Sequence, residues 1–155
     1  MLDLGNVFCT AQNVFGNGTT VASTDWIEGG AAQNWGDGVE PVVEIIVTTT
    51  FTGGTSVTFQ VTAVDSAGNN PVVLDTSGAI AIANLVAAGA GTPALTPASK
   101  ILLRISPKGT LPSSTLTGLR LQAVNGGNNT AGAISARLVP QAATQEPGKA
   151  HRSGY

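Results

Sequence analysis

The sequence predicts an all-β fold, an antiparallel β-sandwich of about eight or nine short strands. Three observations carry that expectation. Gly, Thr, Ala, Val and Ser abound while Lys and Glu are few, with 20 Gly in 155 residues, a composition that disfavours helix. Apolar and polar residues alternate with period two in several segments, as half-buried strands require. Clusters of Gly, Asn, Asp and Pro separate those segments at roughly 8–12-residue intervals, and no segment has a helical period.

The elements follow in order. "VFCTAQNV" (7–14) and "TTVASTDWI" (19–27) each read as a strand. In "VEPVVEIIVTTTF" (39–51), Val43, Ile45, Val47 and Phe51 share one face and Glu44, Thr48 and Thr50 the other. Val42 and Ile46 fall on the polar side, so this strand is expected to be buried near its middle on both faces. "SVTFQVTAVD" (56–65) sets Val57, Phe59, Val61 and Ala63 against Thr58, Gln60 and Thr62. Between the two, Gly53 and Gly54 can take the positive φ of a tight turn, which predicts a hairpin with Phe51 near Val57 or Phe59 across the ladder. "DSAGNNP" (65–71) is a turn stabilised by Asp65, followed by "VVLD" and, past Ser77-Gly78, the strand "AIAIANL". "KILLRIS" (100–106) sets Ile101, Leu103 and Ile105 against Leu102 and Arg104. "LTGLRLQAV" (116–124), the turn "NGGNN" (125–129) and "AGAISARLV" (131–139) complete one domain over residues 1–140, with Ile134, Ala136 and Leu138 facing inward. Residues 141–155 lose all periodicity and read as a flexible tail.

The chemistry-bearing residues exclude more than they suggest. His151 is the single histidine and lies in that tail, so one chain builds neither a Ser-His-Asp triad nor a two-histidine metal site. Neither a nucleophile elbow nor a phosphate-cradling loop is present. The lone Cys9 rules out an intrachain disulfide and reads as a small apolar side chain. "DSAGNN" lacks the alternating acids of a calcium loop. Asp25, Glu28, Asp37 and Glu40 surround Trp26 and Trp35, as carboxylates and aromatics do at a sugar site, but they all come from one strand and one loop. No enzyme, cofactor or metal is expected. The opening residues lack a secretion signal, and "GAIAIANLVAAGAG" (78–91) is too short and small-residue-rich to span a bilayer. The expectation is a soluble chain made in a cytoplasm, without a membrane partner.

Charge is sparse and polarised. The net charge of −2 argues against nucleic acid as the partner. The acids Asp3, Asp25, Glu28, Asp37, Glu40, Glu44, Asp65 and Asp75 precede every base, whereas Lys100, Arg104, Lys108, Arg120, Arg137, Lys149 and Arg152 meet only Glu146. Either the chain halves are neighbours that neutralise each other, or a basic part meets an acidic partner.

Six segments together carry a resemblance: "MLD" at the start, "FCTAQNV" (8–14), "STDWI" (23–27), "FTGGTSVTFQV" (51–61), "TSGAI" (76–80) and "TAGAISARLV" (130–139). Their order and spacing are similar to the capsid cement (decoration) protein family of short-tailed bacteriophages, Bordetella-phage type; residues from Gln141 onward lie outside the match. The resemblance implies a jelly-roll fold on the outside of an icosahedral head, bridging neighbouring major capsid proteins after the shell expands. The partners would be the major capsid protein and a second or third copy of the chain, as a homodimer or homotrimer. The residues themselves suggest where contacts lie. Leu2, Leu4, Val7 and Phe8 form an apolar arm that docks on a neighbour, or are simply the first strand of the domain. Trp26 is a candidate for a buried subunit-boundary contact, with Trp35 a second. Arg104, Arg120 and Arg137 form a basic band toward the shell, or pair internally with Glu40 and Glu44. The alternative from another class is a carbohydrate- or receptor-binding β-sandwich module on a virion or cell surface, using Trp26, Trp35 and the nearby acids.

Overall fold

The structure, a computed structural model, describes residues 6–28, 41–87, 100–104 and 115–140. Nine strands are found among them: β1 (Val7–Asn13), β2 (Thr20–Ala22), β3 (Ile27–Glu28), β4 (Pro41–Gly53), β5 (Ser56–Val64), β6 (Val72–Ala81), β7 (Lys100–Arg104), β8 (Gly118–Gly126) and β9 (Asn129–Pro140). They form two antiparallel sheets. The first runs β1-β9-β4-β7; the second runs β2-β8-β5-β6, with β3 also pairing β8. β5 occupies one side of β8 along its whole length, so β2 and β3 share the other side as one interrupted edge strand. The all-β sandwich expected from alternation is therefore present.

Alternation also identifies the core. Val43, Ile45 and Val47 of β4 and Val57, Phe59 and Val61 of β5 are fully buried, and Leu119, Leu121, Ile134 and Ala136 close over them. Each fully buried aliphatic or aromatic side chain contributes about 1.5–3 kcal/mol relative to exposure. As anticipated, the middle of β4 is covered on both faces, since Val42 and Glu44 are buried as well.

The expected hairpin at Gly53-Gly54 is absent. β4 and β5 do not pair; the turn carries the chain from the first sheet to the second. Gly53 and Gly54 do take positive φ, 71° and 60°. Thr55 then donates its backbone N–H to Gly126 O rather than back to β4. The turn between β8 and β9 crosses in the same way, so two arches lie side by side: β4 pairs β9 in one sheet and β5 pairs β8 in the other. Phe51 and Phe59 still meet, edge to face with ring centroids 6.3 Å apart, but across the core instead of along a ladder. Two smaller corrections concern strand limits. β6 runs unbroken through Ser77-Gly78 by means of a bulge, with Gly78 at φ 68°. The segment expected as one strand over 19–27 is divided into β2 and β3.

Amides lock the arch end of the sandwich. Asn125, buried on β8, donates Nδ2–H to Val14 O and Thr19 O, and its Oδ1 accepts from Asn129 Nδ2 at 2.7 Å. Asn129 Nδ2 also reaches Ser56 O. Asn125→Ala removes the side-chain donor to Val14 O and the acceptor for Asn129, both in a buried site. We expect a loss of about 2 kcal/mol in urea unfolding, with no change in far-ultraviolet circular dichroism.

The β5–β6 turn forms as anticipated around Asp65. Its Oδ1 accepts from the Ala67 and Asn69 N–H groups and its Oδ2 from Asn70 Nδ2. The hydrogen bond from the Asn69 backbone, then that from Asn70, hold the Asp65 carboxyl below its ordinary value. A depressed folded-state pKa gives stabilisation that is present above the ordinary value of about 3.9 and lost as pH falls through the folded one. The Ala67 and Asn69 amide resonances should therefore titrate only in the acid range below that value, and Asp65→Asn should abolish the titration.

Candidate functional site

Two clusters emerge among the residues singled out from sequence, one on each sheet. The first lies on the outer face of β1-β9-β4-β7. Along β4 the side chains alternate, so when Val43 and Ile45 point into the core, Glu44 and Ile46 point out. Register then sets Glu44 opposite Arg137 and Ile46 opposite Ser135 on β9. Arg137 donates from Nε and Nη2 to the same carboxylate oxygen, Glu44 Oε1, at 2.9 and 2.8 Å. The Glu44 side chain is 3% exposed and that of Arg137 44%. The pair is thus a buried acid under a half-exposed guanidinium. β7 adds Lys100 and Arg104 at positions opposite Ile46 and Val42.

A half-open hollow of about 310 Å³ adjoins the pair, lined by Val7, Cys9, Thr10, Ile46, Ser135 and Ala136 beside it. Cys9 is buried, and that burial pushes its thiol up to about 11, so it contributes bulk and no nucleophile.

The second cluster is built on β8 of the other sheet. Arg120 donates Nε–H and Nη2–H to Ser23 O at 3.0 and 2.7 Å, and Nη1–H to Gly68 O at 2.9 Å. Its guanidinium carbon lies 5.4 Å from the Trp26 ring centroid. Gly68 presses its backbone on the same ring, where a Cβ would come within 2.9 Å of ring carbons. Trp26, half-buried, thus closes a joint between the segment before β3 and the β5–β6 turn.

This placement corrects some sequence expectations and decides between the alternatives left open in others. Phe8 is fully buried in the core of its own domain and offers no surface to a partner. Val7 opens β1 and lines the hollow. From residue 7 onward the proposed arm is the first strand of the sandwich, because β1 pairs β9. The three arginines do not form one band. Arg104 and Arg137 stand on the first sheet and Arg120 on the second, where its donors are taken by the chain itself. Arg137 pairs internally, with Glu44 as its partner, which brings together an acid of the first half and a base of the second. Leu2, Leu4 and Trp35 lie outside the described residues, as do Asp37, Glu40, His151 and the tail 141–155. Lys100 was not among the candidates, whereas Glu44 was, as an internal partner for the arginines; a single acid inside "VVEIIV" is the signal of a carboxylate held within a covered strand.

Among the described residues no three His, Cys, Asp or Glu side chains converge to hold a metal ion, and no helix is long and apolar enough to cross a membrane. No protein-family model and no curated protein matches the chain.

Proposed function

We propose that this protein is a structural component of a virion, bound to the outside of an icosahedral phage head, where it clamps neighbouring major capsid proteins against internal DNA pressure. The observation that carries this reading is the outer face of β1-β9-β4-β7, where the half-exposed Arg137 guanidinium stands beside an apolar hollow on a two-layer body. A clamp needs rigidity and attachment surfaces, and it stabilises the shell because it binds only the assembled arrangement. Many copies acting together convert modest contacts into a large effect. The resemblance of the sequence to phage cement proteins supports the same reading. So does strand order. Counting β2 and β3 as one position, the sheets read 1-8-3-6 and 2-7-4-5, the order expected of an eight-strand jelly roll. Self-association, as a homodimer or homotrimer at a symmetric joint, belongs to the proposal. The sugar-binding alternative draws less support, since the Trp26 ring is already engaged by Arg120 and Gly68.

The test is made on phage heads assembled with and without this chain. Heads lacking it should release DNA at lower temperature and after milder osmotic shock, and adding the purified chain to expanded heads should restore both tolerances. Detachment should rise steeply as ionic strength increases from about 0.01 to 1 M, where the screening length shrinks from roughly 30 to 3 Å. Equal tolerance of the two kinds of head would remove the proposal.

A further inference from the structure

We infer that the hollow beside Arg137 binds an acidic side chain with an apolar neighbour on an extended segment of the partner polypeptide. The argument begins with the guanidinium. A planar arginine has two forked edges, one formed by Nε and Nη2 and the other by Nη1 and Nη2. Glu44 occupies the first, because both Nε and Nη2 donate to its Oε1. The pair fixes the orientation of the arginine, and Nη1 makes no hydrogen bond to the described residues. The second edge is therefore presented by a side chain that is 44% exposed. Such an edge matches a carboxylate with two parallel hydrogen bonds.

Charge selects the ligand further. The Arg137 guanidinium is itself positive, so a carboxylate meets it with complementary charge as well as matching geometry. Inorganic phosphate can meet the same edge, but it leaves the apolar walls of the hollow unfilled, whereas a carboxylate on a peptide brings an apolar neighbour to them. Volume supplies the third restriction. At about 310 Å³ the hollow lies at the bottom of the roughly 300–1,000 Å³ range of small-molecule sites. It holds a residue rather than a glycan or a nucleotide. Its walls divide the chemistry: Val7, Ile46 and Ala136 suit an aliphatic side chain, and the Thr10 and Ser135 hydroxyls suit the backbone beside it.

Only the identity of the partner, the shell protein, rests on the capsid reading; the preference of the hollow does not. The experiment keeps the two apart. The full ¹⁵N-labelled chain is titrated with the blocked tripeptide acetyl-Leu-Glu-Leu-amide and, separately, with acetyl-Leu-Gln-Leu-amide and with inorganic phosphate. Resonances of Val7, Ser135 and the Arg137 Nε–H should shift and saturate with the Glu peptide, and about tenfold more weakly with the Gln peptide. Arg137→Gln should lose the discrimination. Because that change leaves Glu44 short of a partner, Ile46→Trp provides a second variant that fills the hollow with the ion pair intact, and it should abolish the shifts. Equal response to both peptides, shifts located elsewhere, no shifts at all, or phosphate as effective as the Glu peptide would each overturn the inference. An Ile46→Trp chain that still binds and protects expanded heads like the parent would overturn it too, leaving the clamp standing.

Discussion

Gly132→Ala should lower the stability of the domain by about 3 kcal/mol, enough to unfold a large fraction of a marginal fold. Gly132 lies in β9 with φ 149°, a backbone that L side chains rarely adopt, and a Cβ there would fall on the ring of Phe51. That ring cannot retreat. Phe51 is 2% exposed, packs edge to face on Phe59, and has its own N–H bonded to Leu85 O. Overpacking a filled core costs about 1–3 kcal/mol, and backbone strain adds about as much again. Guanidinium unfolding curves of three variants separate the terms. Gly78→Ala, at φ 68° with open space around it, isolates strain alone and should cost about 1 kcal/mol. Phe51→Ala leaves a cavity and should cost about 3–5 kcal/mol. The double variant Gly132→Ala/Phe51→Ala should be clearly less destabilised than the sum, because the new methyl enters the space vacated by the ring. Strict additivity would show that the clash is not the cause.

Arg120→Ala is the second large effect, again about 3 kcal/mol. The side chain reaches two pieces of chain that lie between strands. Its bonds to Ser23 O and Gly68 O tie β8 to the segment before β3 and to the β5–β6 turn. Charged donors contribute roughly 1.5–3 kcal/mol at such acceptors, and contact with an aromatic face about 0.5–2. Arg120→Lys should recover less than half of the loss, since an ammonium cannot reproduce a planar fork that serves two carbonyls at once. In a Trp35→Phe background the remaining Trp26 fluorescence reports on the joint. It should move to the red in Arg120→Ala under conditions where the rest of the fold persists. Unchanged emission with unchanged stability would show that Trp26 is held by Gly68 without the cation.

What could be read from sequence depended on the range of the interaction. Period-two alternation placed Val43, Ile45, Val47, Val57, Phe59 and Val61 inside, and all six are fully buried. The Asp65 turn was equally plain, because its hydrogen bonds close within five residues. The Gly53-Gly54 turn was misread for a physical reason. A hairpin and an arch need the same local ingredients, positive φ at a turn between two alternating strands. They differ only in the partner each strand finds, here β9 for β4 and β8 for β5. Those partners lie far along the chain, and nothing in residues 48–61 encodes them. The same limit applied to the candidate site. Basic residues were visible one by one, but register brought Lys100, Arg104 and Arg137 to one sheet and left Arg120 on the other.

The position of β9 has a consequence for synthesis. The last described strand lies between β1 and β4, so the first sheet has no interior until residues 129–140 have been made. A nascent or truncated chain ending before Asn129 leaves two apolar strands with unsatisfied edges, a species prone to aggregate. Folding of the first sheet must therefore await emergence of residues 129–140 from the ribosome, and stop products ending before Asn129 should collect in inclusion bodies.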